Sequence, residues 1–209
     1  MRIETLILGE LKTNCYLLIE RDRCLLIDPA DSADFILEKI VRENLTLMGI
    51  LATHGHFDHI LCVGEIQLSL PVPLYIDKND EFLVKRLNKT AAHFLGYDPT
   101  AVEPLKKTFF PDGDEDIGMD PFSFRLIHVP GHTPGSVAFY FPREQAIFTG
   151  DTLFKDAIGR TDLSYSDKKE LRNSLAKLWK LPEETFVYSG HGEETTIGES
   201  APLRELFAH

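Results

Sequence analysis

The segment His54-Gly55-His56-Phe57-Asp58-His59 sets three imidazoles and a carboxylate within six residues, and no other part of the chain constrains the fold as much. Neutral imidazole and carboxylate are the ligand types that borderline divalent metals such as zinc take. Loops at strand ends are where rigid scaffolds place their chemistry. The apolar run 48–53 reads as such a strand, so the cluster begins where a strand stops. On extended backbone His54 and His56 project to one side, because side chains alternate with a period of two. Asp58 and His59 then fall at the start of a helix expected over 60–70 and turn toward a second point. One segment thereby offers ligands to two neighbouring metal positions.

The remaining histidines extend the inventory. His132 stands in Pro130-Gly131-His132-Thr133-Pro134-Gly135 and His191 in Ser189-Gly190-His191-Gly192, while Asp151 follows Phe148-Thr149-Gly150. Each comes just after a strand-like stretch: 124–129, 186–188 and 146–149 in turn. Glycine beside a ligand lets the backbone take left-handed turns and approach a metal closely. With the hexapeptide these make five His and two Asp, enough for two metals.

In chain order, His54, His56, Asp58, His59, His132, Asp151 and His191 resemble the metallo-beta-lactamase-fold hydrolases. That family's pattern reads His-x-His-x-Asp-His, then a distant His, a distant Asp and a final His. Asn14-Cys15-Tyr16 and Leu26-Ile27-Asp28-Pro29 are similar to its opening strands. The stretch from Thr149-Gly150-Asp151-Thr152 through Gly159-Arg160-Thr161-Asp162, and the tail from Gly190 to Gly198, most resemble short, single-domain glyoxalase II-like proteins.

The resemblance implies an α/β fold: a four-layer αββα sandwich of two mixed sheets flanked by helices, with metals at one sheet edge and a single domain over 1–209. It assigns one divalent metal to His54, His56 and His132. It assigns a second to Asp58, His59 and His191, with Asp151 bridging both. The ions are expected to be zinc, although His/Asp sites also accept iron or manganese. Two such ions lower the pKa of a shared water and polarise the carbonyl that it attacks. Asp58 is expected to take or relay a proton as well. Asp28, at the end of a strand, is read as orienting the histidine loop by hydrogen bonding.

The expected activity is therefore that of a metal-dependent, glyoxalase II-like thioesterase acting on an S-acyl thiol such as S-lactoylglutathione. In full-length glyoxalase II enzymes a C-terminal helical domain contacts glutathione. Only about a helix follows His191 here, so glutathione recognition is not expected to take that form. Gly159-Arg160-Thr161-Asp162 also resembles persulfide dioxygenases of the same fold, which hold one iron by two His and one Asp. A lactonase or beta-lactamase would ask the same hydroxide to attack another carbonyl. A metal-binding protein without catalysis is the reading from a different class.

A formal net charge of −11 argues against a nucleic-acid partner, which would need a basic stripe. A small-molecule substrate is expected, and nothing in the sequence sets the oligomeric state. No apolar run approaches the length of a membrane span, and the glutamate within 1–6 marks a strand rather than a signal peptide. Cys15, Cys24 and Cys62 form no CxxC pair, which fits reduced thiols and a cytoplasmic setting. Cys62, three residues after His59, is read as a buried helix position.

Strands are expected at 3–8, 13–20 and 23–27, and then a helix over 31–44, with helical spacing at Phe35, Ile36, Ile40 and Val41 and Asp31 or Ser32 available as its cap. A short strand after Pro73 and a helical stretch over 77–95 follow. The acidic run 112–116 is read as an exposed turn. A second set of strands covers 122–149, with a turn at 142–144. The last long helix is expected over 166–180, with Leu171, Leu175 and Leu178 inward. His93, His128 and His209 are read as structural, with His93 also placed where it could line a substrate pocket. Arg160 and Asp162 are expected to pair in a buried position and Lys155 to face an acidic substrate.

Overall fold

The computed structural model describes residues 1–207, so His209 lies outside the described residues. The chain divides into two compact units, Met1–Phe110 and Pro111–His209. Each is built on a six-stranded mixed sheet with helices.

The first unit runs β1 (Arg2–Leu8), β2 (Thr13–Glu20), β3 (Arg23–Ile27), α1 (Ala33–Arg42), β4 (Thr46–Leu51), α2 (Phe57–Ile60), α3 (Val63–Ser69), β5 (Leu74–Ile76), α4 (Glu81–Val84), α5 (Leu87–Leu95) and β6 (Lys107–Phe109). Its sheet follows that numerical order. β1, β2 and β3 pair antiparallel, and β3 to β6 pair parallel. One face packs on helices: Cys15, Leu17, Ile19, Cys24, Leu26 and Ile50 join Ile36, Ile40, Ile60 and Val63 in one core. The alternate residues Leu18, Leu25, Ile27 and Leu51 are buried as well. Burial on both faces explains why β2 and β3 read as near-continuous apolar runs rather than as alternation.

Three helical expectations need correction. α1 turns Ala33, Ile36 and Ile40 inward, while Phe35 is 47% and Val41 71% exposed. At 100° per residue, a face holding 33, 36 and 40 cannot also hold 35 and 41. Ser32 is the N-cap, but it sits at φ 58° and its side chain makes no capping hydrogen bond. The expected helix over 60–70 is two helices, with Cys62 at their junction. The Cys62 Sγ–H reaches the carbonyls of Pro29 and Asp31, 3.3 Å from each, so the thiol is buried at a helix start rather than within one. The stretch over 77–95 is likewise broken, into a 3-10 turn (Lys78–Asp80), α4 and α5. All three thiols are buried and unpaired by disulfides. Burial pushes Cys15 and Cys62 up and Cys24 to about 12.

The second unit runs β7 (Glu115–Met119), β8 (Phe122–His128), β9 (Val137–Phe141), β10 (Ala146–Gly150), α6 (Lys168–Leu178), β11 (Phe186–Ser189), β12 (Thr195–Thr196) and α7 (Ala201–Phe207). Its sheet is ordered β12-β11-β10-β9-β8-β7, with β10 and β11 the parallel pair. The strand β7 is not expected from the sequence, in which 112–116 reads as an exposed turn. The bend covers only 112–114, and β7 then pairs through its backbone with β8. Exposed Glu115 and Asp116 on this edge strand discourage pairing with another chain. α6 starts after Asp167, whose carboxylate accepts from the amides of Lys169 and Glu170 at 2.8 and 3.0 Å. Its Leu171, Leu175 and Leu178 are buried against Ile127, Ala138, Ile147 and Val187, as the heptad-like spacing requires. No helix among the described residues is long and apolar enough to cross a membrane.

These faces can be tested by substitution. Leu175→Ala should lower unfolding free energy by about 2–5 kcal/mol in urea titration. Val41→Ser should stay within about 0.5 kcal/mol. Equal losses would show the α1 face to be wrongly assigned.

Candidate metal centre

In the first unit the ligand loop begins earlier than its sequence implies. β4 ends at Leu51, so His54 and His56 lie on the loop after the strand rather than on the strand itself. Their rings nevertheless meet edge to face, with His54 Nε2 2.9 Å from His56 Nδ1. What holds the loop is Asp28, buried at φ 51° just past the end of β3. A non-glycine residue in this left-handed region is strained, and aspartate is among the few side chains that tolerate it.

Asp28 gathers three donors. Its Oδ1 accepts from the Thr53 amide at 2.7 Å. Its Oδ2 accepts from the Thr53 hydroxyl at 2.6 Å and lies 2.9 Å from His59 Nδ1. The consequences for tautomers are specific. The Thr53 hydroxyl has one proton, which goes to Asp28, so at 3.1 Å it accepts from His54 Nδ1–H. His59 Nδ1–H donates to the carboxylate directly. Both imidazoles are thereby fixed with Nε2 carrying the lone pair, the arrangement in which a second partner orients a ligating histidine. Asp28 therefore has the orienting role read from its position.

Asp80 holds the loop from another side: its carboxylate is fully buried and accepts from the Gly55 amide at 2.8 Å. Neither Thr53 nor Asp80 stood out in the sequence. Asp80 carries little signal, since it is Asp77 that directly follows β5 and Asp80 lies at the end of the 3-10 turn Lys78–Asp80. Asp58, on α2, keeps 15% of its side chain exposed, with Oδ2 3.8 Å from His59 Nε2.

In the second unit each ligand candidate follows its strand as expected. His132 comes after β8, Asp151 after β10 and His191 after β11. The Gly190 amide donates to Gly150 O at 2.8 Å, which brings the ends of the parallel strands β10 and β11 together. Asp151 Oδ2 consequently lies 3.6 Å from His132 Nε2 and 3.8 Å from His191 Nε2. Both separations exceed a hydrogen bond. They approach the roughly 3.4 Å between two ligands of one tetrahedral ion with bonds of about 2.0–2.1 Å. The His132 Nδ1–H donates to the Arg160 carbonyl at 3.0 Å, which again leaves Nε2 for coordination. Close approach makes two glycines obligatory here. A Cβ at Gly131, φ 138°, would stand 2.3 Å from Leu171 N, and one at Gly159 would stand 2.0 Å from Asp151 O.

Arg160 and Asp162 do pair, through two contacts of 2.6 Å, but at 55% and 67% side-chain exposure the pair is not buried. The guanidinium holds Asp162 down at about 2. What braces His132 is the Arg160 backbone, not its charge. Lys155 pairs with Glu193 at 2.6 Å. His93 is exposed on α5, with its ring edge-on to Phe94. His128 has its amide on Asp114 and its carbonyl on Lys177, in keeping with a structural role.

Comparison with known proteins bears on the whole site. Residues 8–191 match the family model of the Metallo-beta-lactamase superfamily. The probable metallo-hydrolase YqgX of Bacillus subtilis is 36% identical over 190 residues, 90% of this chain and 89% of that protein. The hydroxyacylglutathione hydrolase GloC of Haemophilus influenzae is 33% identical over 202 residues, 95% and 94% of the two chains. The crystal structure of TTHA1623 in a di-iron-bound form superposes with a TM-score of 0.84 at 37% identity, covering 95% of this chain and 96% of that one.

Thr53→Val should remove the hydroxyl relay while keeping the side-chain shape. We expect a loss of about 1–3 kcal/mol in unfolding of the metal-free protein. Two-bond 1H–15N spectra should also show His54 released from its single tautomer while His59 keeps its own. An unchanged His54 pattern would remove Thr53 from the relay.

Proposed function

The chain belongs to the metallo-beta-lactamase superfamily and is a metal-dependent hydrolase, and from that premise we propose a dinuclear thioesterase of the glyoxalase II type. In this reading His54, His56 and His132 hold one divalent ion and Asp58, His59 and His191 hold the other, with Asp151 shared. The observation that carries it is the Asp151 carboxylate oxygen standing between the Nε2 atoms of His132 and His191. The donor chemistry fits: five imidazoles and two carboxylates suit borderline divalent ions, and His54, His59 and His132 each have Nδ1 engaged within the protein. We take the ions to be zinc; the di-iron form of a relative at 37% identity makes iron the competing occupant.

Bound there, two such ions supply a hydroxide at neutral pH and polarise the carbonyl under attack. The protein's own groups do the rest. Asp58, partly open and on the helix that begins at the loop, moves a proton between the attacking water and the departing thiol. Asp28 and Thr53 keep His54 and His59 in the coordinating tautomer throughout. No serine or cysteine nucleophile is required, and the three buried thiols, held protonated, supply none. The S-acyl thiol is a small molecule, and residues 1–209 act as one domain, in line with a family match that runs through both units.

Elemental analysis of protein purified without chelator or histidine tag should give close to two metals per chain, together with hydrolysis of a panel of acyl thioesters. One iron per chain, with oxygen uptake on adding a persulfide, would instead identify a dioxygenase. Asp151→Ala should lose both metal and turnover by more than tenfold. His93→Ala should leave metal content unchanged.

A further inference from the structure

In the second unit a tight turn stands beside His191. Leu153 and Ile158 face each other as an antiparallel bridge, and the Phe154 amide donates to the Ala157 carbonyl at 2.9 Å. Lys155 and Asp156 are left at the tip of that turn. The Lys155 ammonium crosses to the carboxylate of Glu193, two residues past His191, at 2.6 Å. Between the turn and the loop 191–193 lies an open cavity of about 330 Å³, with Phe154, Lys155, His191 and Glu193 in its wall. That volume falls in the range of roughly 300–1,000 Å³ in which proteins hold small molecules. Gly192 adds bare backbone to the wall, and a Cβ there would meet nothing within 4 Å. The ion pair itself stands in water, its side chains 46% and 79% exposed, so it contributes little to stability and costs little to open.

We propose that this cavity receives the thiol half of the substrate, and that the Lys155–Glu193 pair opens to take a zwitterionic head group of the amino-acid type. The carboxylate of that group goes to Lys155 and its ammonium to Glu193. The inference rests on the reading above, in which His191 holds one of two ions at the thioester. A cavity with His191 in its wall is then filled by a group attached to that thioester. Only a ligand with both charges leaves neither protein group short of a partner. A lone carboxylate would take Lys155 and set Glu193 beside a like charge, and a lone ammonium would take Glu193 and do the same to Lys155. Two charge-assisted hydrogen bonds to the ligand outweigh the one exposed contact that they replace. A thiol derived from cysteine has both charges on the carbon next to the one that bears sulfur, which makes it the thiol of matching chemistry. Lys155 alone, as the sequence presents it, suits an acidic substrate; Glu193 in contact with it changes that to a zwitterion.

The test titrates metal-loaded, full-length protein in a calorimeter with three thioethers, which have no bond to hydrolyse. S-propyl-L-cysteine carries both charges, 3-(propylthio)propanoic acid lacks the amine and 2-(propylthio)ethylamine lacks the carboxylate. The zwitterion should bind about tenfold tighter than either of the others, since one charge-assisted hydrogen bond is at stake each time. Glu193→Gln should erase its advantage over the acid and leave its advantage over the amine. Lys155→Gln should do the converse. Both positions are exposed, so neither change threatens the fold. Equal binding of the three compounds, no binding of the zwitterion, or a ranking untouched by the two substitutions would overturn the inference. Hydrolysis of S-acetyl-N-acetylcysteamine, a neutral thioester, by the same preparation is measured beside it. Turnover without head-group selectivity sinks the cavity's role and spares the hydrolase. Selectivity without turnover does the reverse.

Discussion

The geometry of the first half of this protein depends on one buried carboxylate. Asp28 accepts from the Thr53 amide, the Thr53 hydroxyl and His59 Nδ1, and it does so from a strained left-handed backbone position between β3 and the ligand loop. A buried carboxylate is costly unless its oxygens are satisfied, so the donors around Asp28 cannot drift without exposing that cost. The loop is therefore specified by electrostatics rather than by packing alone. Because a hydroxyl has a single proton, the same arrangement sets the tautomer of His54 at one remove and of His59 directly. Asp80, accepting from the Gly55 amide, supplies the second anchor.

The second unit solves the same problem with backbone. His132 is oriented by the Arg160 carbonyl, and Asp151 meets His191 because a main-chain hydrogen bond joins Gly150 to Gly190 at the ends of two parallel strands. Such contacts need main chain to approach main chain closely. Glycine therefore stands at 131 and 159, where any Cβ would collide. The two devices differ in vulnerability: the first unit fails when a side chain is changed, the second when a glycine gains one.

How far the sequence could be read varies with the kind of element. The strands 13–20 and 23–27 were legible to the residue, because β-branched and aliphatic runs bounded by charged turns have few alternatives. Helix α6 was legible through its leucine spacing. The inward face of α1 was not, since four apolar residues at 35, 36, 40 and 41 fit two faces and only the sheet beneath chooses Ile36 and Ile40. The strand β7 was hidden because pairing is a backbone property and its acidic side chains advertise a turn. Arg160 and Asp162 form the expected pair, yet in water, where such a pair contributes little.

The sequence by itself determined the family and offered the inventory of candidate ligands, because imidazole and carboxylate in that order and spacing serve few purposes other than metal binding. It also determined that each candidate follows a strand, through the apolar runs that precede them. Tertiary structure alone decided what fixes those side chains. Thr53 comes to Asp28 across 25 residues, Gly55 to Asp80 across 25, and His132 to the Arg160 carbonyl across 28. A hydrogen bond between residues so far apart leaves no periodicity in the chain, and a carbonyl acceptor leaves no side chain to recognise. Contacts of that kind exist only once the sheets have brought their strand ends together.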